Sequence, residues 1–395
     1  MKILFLSHRI PWPLKDGGAV AIHNNLKGFL DGGHEVKFLC LNPRKDETSL
    51  TQVPDYFSKA LAESFDINTD LALAGAIKNL FGSDSYHVSR FYHPAFEARL
   101  MSLLKDEVFD VVHMEGAFIA QYTPFIRLFS DACLVLREHN VEYRIWESMA
   151  KTATNVVKAT YLRLLASRLK AYEEKLWKQV DMVNAISPAD LLVFQQFNPK
   201  SFLGGVGFDL EPYLAIEKEP KPKTLFHLGS MDWLPNQEAV TWLLNTLWPA
   251  IQKEMPGWKL FLAGKKMPKE WLHEEAQLKV EGEVASAMDY MAEYSVMLVP
   301  LKSGSGIRIK TLEAMALGKA VITTSVGLLG LDLVPDKEVF LANTPEEFVA
   351  VLKRLDADPA LAAKVGRAAR EKVKSSYSNE KHIARLIEKY RNCRS

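Results

Sequence analysis

Residues 2–41 read KILFLSHRIPWPLKDGGAVAIHNNLKGFLDGGHEVKFLCL, and this stretch decides the fold. The apolar run at 2–7 predicts a buried strand, and the apolar residues of 19–30 recur at helical spacing. A turn at 31–34 ends the helix, and 36–41 predicts a second strand. A strand, a helix and a strand in this order predict a parallel sheet with a right-handed crossover connection.

The same alternation continues to the end of the chain and is interrupted once, at 203–222, where glycines give way to a charged, proline-containing segment. Further strands are predicted at 110–113, 134–136, 182–186, 225–228, 259–263, 295–300 and 320–323. Further helices are predicted at 97–105, 187–197, 237–247, 310–317 and 378–390. We therefore expect an α/β protein of two doubly wound, Rossmann-like domains facing each other across a cleft. The expected domains are 1–205 and 206–375, with a C-terminal helix at about 376–395 that packs back on the first.

Length and composition are those of a folded enzyme. The 395 residues correspond to about 2.6 domains of ordinary size, and 48% hydrophobic with 25% charged residues exclude a disordered chain. Lys and Arg number 49 against 48 Asp and Glu, so the net charge of +1 gives no reason to expect a nucleic-acid partner. No run of about 18 apolar residues predicts a transmembrane helix.

The three cysteines are Cys40, Cys133 and Cys393, which are far apart and form no Cys-x-x-Cys pair. This spacing argues against a disulfide framework and against a structural zinc site. It favours a reducing, cytoplasmic location.

Residues 304–321, GSGIRIKTLEAMALGKAV, carry the strongest chemical signal. The glycines follow a predicted strand and permit close approach of backbone N–H groups to an anion, at the positive end of a helix. Arg308 and Lys310 add donors suited to phosphate. Glu313 lies in the first turns of that helix and can accept two hydroxyl hydrogens, such as those of a ribose. The alternative is a surface loop followed by a glutamate that complements the helix dipole.

This stretch resembles the donor-binding segment of family 4 glycosyltransferases, which have the GT-B fold. Residues 226–236, FHLGSMDWLPN, resemble the opening of that family's C-terminal domain in a subgroup with a Gly-Ser-Met-x-Trp-x-Pro-Asn signature. Residues 207–209 resemble the Gly-Val-Asp entry into that domain, and 16–18 resemble the glycine loop after the first strand. Residues 138–142, EHNVE, are similar to a segment of polysaccharide-assembly members, so the resemblance covers nearly the whole chain.

The resemblance implies retaining transfer of a hexose from a UDP- or GDP-sugar, with no metal and no cofactor. The implied acceptor is a glycan or a lipid-linked glycan in bacterial exopolysaccharide or lipopolysaccharide biosynthesis. Carried over by position, Glu313 binds the ribose, Arg308 and Lys310 bind the diphosphate, and Val284 lies near the base edge. The full implied donor set is Gly17, Gly18, Gly229, Ser230, Ser305, Gly306, Ile307, Arg308, Lys310, Glu313 and Val284.

The chain departs from the family pattern at three places. Ser305 stands where the family has the earlier glutamate of its E-x7-E motif. Trp233 and Asn236 occupy a region where many members place a Lys or Arg pair, so Arg308 or Lys310 supplies the charge instead. Glu115 replaces the second histidine of an Asp-x-x-His-x-His segment.

Glu115 is predicted as a catalytic residue together with Arg308 and Lys310. A carboxylate at this strand end can orient a sugar hydroxyl, stabilise developing positive charge or take the acceptor proton. The alternative is a loop glutamate in a salt bridge.

Three further side chains are predicted to touch the acceptor or the sugar. His139 and Asn140 follow a strand, and a structural hydrogen-bonded pair is the alternative for them. Trp12 is interpreted either as a platform for sugar stacking or as a buried loop anchor.

Residues 151–180 hold seven basic residues against two acidic ones, with leucines interspersed. A basic amphipathic helix predicts peripheral contact with the inner face of the plasma membrane, whereas an ordinary domain helix would bury its leucines and solvate its lysines.

Two alternatives to a transferase stay open. One is a GT-B nucleotide-sugar epimerase, and the other is a nucleotide-sugar-binding protein with impaired catalysis, suggested by Ser305 and Glu115.

Overall fold

The computed structural model describes residues 1–14, 16–44, 48–70, 85–153, 155–216, 218–304 and 307–393. Contacts divide the chain into two compact units. Unit 1 is Met1–Gly207 together with Asn379–Ser395, and unit 2 is Phe208–Ser378. The chain thus passes from unit 1 to unit 2 and back again.

Unit 1 is built on a seven-stranded parallel sheet of order β3-β2-β1-β4-β5-β6-β7. Its strands are β1 (Lys2–Ser7), β2 (Glu35–Pro43), β3 (Glu63–Ile67), β4 (Val111–Glu115), β5 (Cys133–Glu138), β6 (Met182–Ala185) and β7 (Phe202–Leu203). The central strands are buried along nearly their whole length, as expected of parallel strands covered on both faces by helices.

The helices of unit 1 follow its strands in the doubly wound pattern. They are α1 (Gly17–Asp31), α2 (Tyr56–Lys59), α3 (Tyr86–Ser89), α4 (Pro94–Asp106), α5 (Thr123–Phe129), α6 (Glu142–Thr152), α7 (Val156–Gln179) and α8 (Pro188–Phe194). Asp16 caps α1 by accepting a hydrogen bond from the amide of Ala19 at 2.9 Å, which fixes where that helix begins.

Unit 2 contains a second seven-stranded sheet, of order β10-β11-β9-β8-β12-β13-β14. Its strands are β8 (Lys221–Leu228), β9 (Lys259–Ala263), β10 (His273–Glu274), β11 (Leu278–Val280), β12 (Tyr294–Val299), β13 (Ala320–Thr323) and β14 (Phe340–Leu341). All pairs are parallel except β10 with β11 at the edge. Its helices are α9 (Glu211–Leu214), α10 (Leu234–Trp242), α11 (Trp248–Glu254), α12 (Ala287–Glu293), α13 (Ile309–Ala316), α14 (Pro345–Ala357) and α15 (Pro359–Ser376).

The last helix, α16 (Asn379–Arg391), belongs to unit 1 and packs against α1. Its apolar residues Ile383, Leu386, Ile387 and Tyr390 join the core cluster that contains Phe29 and the β1 residues. The terminal helix predicted at 378–390 is therefore part of the core of unit 1.

Two predicted helices differ from the structure in more than the position of their ends. The helix predicted at 237–247 begins at Leu234, changes to a π-helical turn at Leu243–Leu247 and continues as α11. Segment 151–180 is not one helix, because α6 ends at Thr152 and Asn155 caps a new helix by accepting from the amide of Lys158 at 3.0 Å.

The expectation that no disulfide links the cysteines is wrong for one pair. Cys133, at the start of β5, and Cys393, beyond the end of α16, form a disulfide whose Cα atoms lie 6.2 Å apart. The two cysteines are 260 residues apart in sequence, so spacing alone carries no sign of the pairing. The cysteines consequently no longer argue for a reducing compartment.

Candidate active site

The predicted site residues fall into two sets, one in each unit. In unit 2 they surround the carboxyl ends of β8 and β12, which are adjacent strands of the sheet. This is the edge at which open α/β sheets bind their ligands. Ser305 and Gly306 lie outside the described residues. Gly304 precedes them with a φ of 109°, a conformation that favours glycine.

Arg308, Trp233 and Gly304 pack together in unit 2. The Arg308 guanidinium lies 4.8 Å from the centre of the Trp233 ring, a cation–π arrangement. A Cβ atom on Gly304 would come within 2.9 Å of the same ring. Burial lowers the pKa of Arg308 to about 10, so the side chain stays positively charged at neutral pH. Trp233 therefore holds a cation beside the glycine loop.

Glu313 is buried on α13 and shares its carboxylate between two partners. Tyr213 donates its hydroxyl hydrogen to Oε1 at 2.9 Å, and the Lys310 ammonium lies 2.6 Å from Oε2. Burial, reinforced by the adjacent carboxylate, raises the pKa of Tyr213, so it remains a donor. Each carboxylate oxygen has two lone-pair sites and an ammonium has three hydrogens. Glu313 can therefore accept further hydroxyl hydrogens, and Lys310 can donate to a second anion.

The loop after β8 is held closely against the loop after β9. A Cβ atom on Gly264 would lie only 1.7 Å from the carbonyl oxygen of Gly229. Asn236 donates its side-chain amide to the Ser230 carbonyl at 2.9 Å, which fixes the turn. Val284 is half-buried in the segment between β11 and α12. The predicted Gly229-Ser230 turn is thus a rigid, glycine-dependent backbone surface.

In unit 1 the glycine loop after β1 carries a cation. Arg9 donates both terminal nitrogens to Asp16, at 2.5 and 3.0 Å. A Cβ atom on Gly18 would lie 2.6 Å from the Arg9 guanidinium, so the absence of a side chain at Gly18 makes room for the arginine. Gly17 is exposed at the start of α1. The loop thus carries an Arg9–Asp16 ion pair that the motif alone did not identify.

Glu115 lies at the end of β4 and is completely buried. Its Oε1 accepts from Asn25 at 3.0 Å and from His113 at 2.9 Å. Its Oε2 accepts from Arg137 at 3.1 Å and from His139 at 2.7 Å. The expectation of a carboxylate open to a sugar is therefore corrected, because four side chains enclose it.

The electrostatics of this cluster keep Glu115 ionised. Burial opposes the charge, but the Arg137 guanidinium and the hydrogen bonds from His113 and His139 outweigh it and hold the pKa of Glu115 well below its usual value. Arg137 is itself fully buried. The cluster is fixed from the other side by α16, since His113 Nδ1 lies 2.7 Å from the Tyr390 hydroxyl.

Of the predicted contact residues, His139 is partly exposed and bonded to Glu115 as described. Asn140 donates to a Glu142 carboxylate oxygen at 3.4 Å, a weak contact. Trp12 is partly buried against the core cluster of unit 1, and its carbonyl accepts from the Thr48 hydroxyl at 2.8 Å. This packing favours the interpretation of Trp12 as a loop anchor.

A group of buried acidic side chains lies beside the end of β5. Glu173 on α7 accepts from the amides of Glu142 and Tyr143 at 3.0 and 2.8 Å. Glu138 accepts from the Trp177 indole at 3.0 Å. Burial, opposed by the Trp177 hydrogen bond and reinforced by neighbouring carboxylates, raises the pKa of Glu138 to about 8. Burial likewise raises the pKa of Glu142 to about 7.

Sequence reasoning missed the residues that hold the predicted ones in place. They are Arg9, Asn25, Arg137 and Tyr213. Arg9 had a sequence signal, since it directly follows the β1 strand. The others come from remote parts of the chain, as with Tyr213, which is 100 residues from Glu313.

Comparison with known proteins gives a family match within unit 2. Residues 222–358 match the family model of glycosyl transferases group 1. This segment is a glycosyl transferases group 1 domain. It contains β8, β12 and α13 with Trp233, Arg308, Lys310 and Glu313.

The whole chain is similar to several known proteins at low sequence identity. An uncharacterized 44.6 kDa protein in the cps region of Klebsiella pneumoniae is 21% identical over 357 residues, which is 87% of each chain. Among solved structures, sucrose-phosphate synthase from Thermosynechococcus elongatus gives a TM-score of 0.69 at 15% identity, covering 99% of both chains. Anabaena HepE in complex with UDP-glucose gives 0.66 at 15% identity, covering 98% of both. The predicted GT-B fold is confirmed.

No helix in the described part of the chain is long and apolar enough to cross a bilayer. Helix α7 buries Leu162, Leu165, Leu169 and Leu176 and exposes its lysines. This is the pattern of a domain helix that packs its apolar face inward.

Proposed function

We propose that this chain is a retaining glycosyltransferase of family 4 that transfers a hexose from a UDP- or GDP-sugar to a glycan or lipid-linked acceptor. The observation that carries the proposal is the arrangement after β12. There a glycine at positive φ, a buried arginine and a lysine–glutamate pair surround the start of α13, within a glycosyl transferases group 1 domain.

Each group has a role that its chemistry supports. Arg308, Lys310 and the amides at the start of α13 neutralise the diphosphate as negative charge develops on it, with no metal required. Glu313 accepts the ribose hydroxyls at its remaining lone pairs. The rigid Gly229-Ser230 turn lets its backbone approach the same ligand.

The setting we propose is bacterial exopolysaccharide or lipopolysaccharide biosynthesis, on the cytoplasmic side of the membrane. The relative from the cps region of Klebsiella pneumoniae supports this setting. Val156 and Val157 are 78% and 79% exposed at the start of α7, beside the basic residues Lys151 and Lys158. Two exposed valines flanked by lysines suit peripheral contact with anionic lipid. Cosedimentation with vesicles of phosphatidylglycerol tests it, and Val157→Asp should abolish binding.

The donor is tested by a thermal-shift panel of UDP-glucose, UDP-N-acetylglucosamine, GDP-mannose, ADP-glucose and dTDP-glucose. A ligand that binds only the folded protein raises its melting temperature by mass action. We expect a shift with one nucleotide only. No shift with any of the five would contradict the proposal.

Lys310→Ala tests the diphosphate site. We expect donor hydrolysis to fall about 10- to 100-fold, as when one charge-stabilising donor of a transition state is removed. Lys353→Ala is the matched control, since Lys353 pairs with Glu254 on the surface of the same unit and should retain full activity. An unchanged rate in Lys310→Ala would remove Lys310 from this role.

The alternative of a nucleotide-sugar-binding protein with impaired catalysis gives a different result. Such a protein would show the thermal shift but leave the bound donor intact, whereas transferases slowly release the sugar to water.

A further inference from the structure

Three side chains of unit 1 that meet beside the start of β5 offer a set of metal ligands. The sulfur atoms of Cys133 and Cys393 and one carboxylate oxygen of Asp181 all lie within 4.8 Å of one another. Cys133 begins β5, Asp181 directly precedes β6, and Cys393 follows the end of α16. The three residues come from distant parts of the chain, and for that reason the sequence spacing of the cysteines predicts no zinc site.

The Asp181 carboxylate is held in a fixed orientation. The Arg127 guanidinium and the backbone amide of Leu134 each donate to its Oδ2 at 2.7 Å. No hydrogen bond to Oδ1 occurs among the residues that the structure describes, so this oxygen keeps its lone pairs for a ligand. Hydrogen bonds to the side chain that binds a metal orient that side chain, and they are a regular part of protein metal sites.

A cation can reach this group from solvent. The Asp181 and Arg127 side chains are 35% and 33% exposed, whereas Cys133 and Cys393 are 2% and 5% exposed. The group is therefore open to water at the carboxylate and enclosed around the sulfur atoms. Two thiolates and a carboxylate outnumber the single positive charge of Arg127, so a divalent cation would balance the group.

We propose that Cys133, Cys393 and Asp181 bind a zinc ion when the disulfide is reduced, with water as the fourth ligand. A dithiol reductant supplies two electrons and two protons, the S–S bond breaks, and the dithiol itself becomes a disulfide. The two thiols that result release their protons to solvent as their sulfur atoms bond to Zn²⁺. Two sulfur ligands favour Zn²⁺ over Mg²⁺ and Ca²⁺, which prefer oxygen. This inference is independent of the proposed function, because no nucleotide sugar takes part in it.

The zinc ion would keep the end of the chain fastened to β5 in the reduced protein. The disulfide makes this connection when the cysteines are oxidised, and a metal bridge between the same two sulfur atoms makes it when they are reduced. Without either bridge, the segment after α16 keeps the 3.3 Å hydrogen bond from Lys200 to the Cys393 carbonyl and the packing of Tyr390. Reduction alone should therefore loosen this segment, and zinc should fasten it again.

The first test is the metal content. The full chain is reduced with dithiothreitol, separated from it under argon, and titrated with Zn²⁺ in competition with a colorimetric chelator. We expect one zinc ion per reduced chain and none per disulfide-bonded chain. Cys393→Ser should bind none, whereas Cys40→Ser, which changes a buried cysteine of β2 outside the group, should still bind one. Binding by the disulfide form, or undiminished binding by Cys393→Ser, would overturn the inference.

The second test identifies the ligands. Co²⁺ in place of Zn²⁺ should give the intense visible bands of tetrahedral cobalt and a sulfur-to-metal charge-transfer band, and the weak bands of octahedral cobalt would overturn the assignment. Asp181→Asn should weaken zinc binding about 10-fold or more. Asp31→Asn is the matched control, because Asp31 is a 60% exposed aspartate of the same unit that pairs with Lys27. Equal affinities of the two variants would remove Asp181 from the site.

The third test is thermal stability. Zn²⁺ should raise the melting temperature of the reduced chain, because an ion that binds the folded arrangement stabilises it by mass action, and EDTA should reverse the shift. The disulfide-bonded chain should respond to neither addition. A reduced chain whose melting temperature is unaffected by zinc would contradict the bridge between α16 and β5. Wild-type protein that binds no nucleotide sugar would refute the proposed function and leave this inference standing.

Discussion

Tyr213 is the residue on which the geometry of Glu313 depends most directly. Its hydroxyl occupies one lone pair of a carboxylate that is buried and also paired with Lys310. Without that hydroxyl, the negatively charged Oε1 of Glu313 would lose a hydrogen-bond donor. Water reaches this buried carboxylate poorly and would not replace the donor.

We expect Tyr213→Phe to lower the free energy of unfolding of unit 2 by about 1–3 kcal/mol, the range for leaving a buried polar group unsatisfied. Urea denaturation measures it. Tyr290→Phe is the control in the same unit, because the buried Tyr290 hydroxyl has no hydrogen-bond partner among the described residues. Equal effects of the two substitutions would contradict the importance of the Tyr213 contact.

The candidate site residues could be chosen from the sequence, whereas their partners could not. Arg308, Lys310 and Glu313 lie within six residues of one another, so their spacing is a local signal in the sequence. Asn25 and Arg137 meet Glu115 only because α1 and β5 pack beside β4. Contacts of that kind are set by tertiary packing, and neither residue type nor spacing reveals them in a single sequence.

At the scale of elements, strands with continuous apolar runs were predicted to the residue, as at Lys259–Ala263 and Ala320–Thr323. The edge strands β3 and β7 were missed, because β3 reads ESFDI and β7 has two residues. Edge strands bury less surface, so their sequences carry a weaker pattern.

A substitution at Gly264 tests how closely the loops after β8 and β9 must approach each other in unit 2. Gly264→Ala places a methyl group where the Gly229 carbonyl oxygen lies. We expect a loss of several kcal/mol in stability, or a displaced Gly229-Ser230 turn with donor affinity reduced at least 10-fold. Gly257→Ala is the control, since a Cβ atom there meets nothing closer than 4.0 Å. A Gly264→Ala protein with wild-type stability and affinity would show that the loops can separate freely.

The buried acidic group between β5 and α7 predicts a pH dependence of stability. The folded-state pKa of Glu138 is raised from 4.5 to about 8, so between these values the folded protein binds more protons than the unfolded chain. The contribution of Glu138 to stability therefore falls as pH rises from about 5 to about 8.

We expect Glu138→Gln to flatten this slope and to stabilise unit 1 more at pH 8 than at pH 5. Thermal melts across the range measure it. Glu174→Gln, on α7 and 29% exposed, should keep the wild-type pH dependence. An unchanged pH dependence of stability in Glu138→Gln would contradict the assignment.

At the scale of the molecule, two separate cores predict two unfolding transitions. Leu386 of α16 belongs to the core of unit 1, and Leu352 of α14 belongs to the core of unit 2. Multidomain proteins commonly unfold in more than one step.

We expect Leu386→Ala and Leu352→Ala each to destabilise by about 2–5 kcal/mol, the usual range for a buried leucine. Calorimetry should show that each substitution shifts a different transition. A shift of the same single transition by both would mean that the units unfold as one.

The return of the chain to unit 1 has a consequence for biosynthesis. A ribosome must translate all of Phe208–Ser378 before it reaches α16. During that interval the nascent first unit has no cover for the apolar groove beside Phe29, where Ile383 and Tyr390 later lodge. It also lacks the Tyr390 hydroxyl beneath His113. The first unit is thus completed by a helix that is translated only after the second unit.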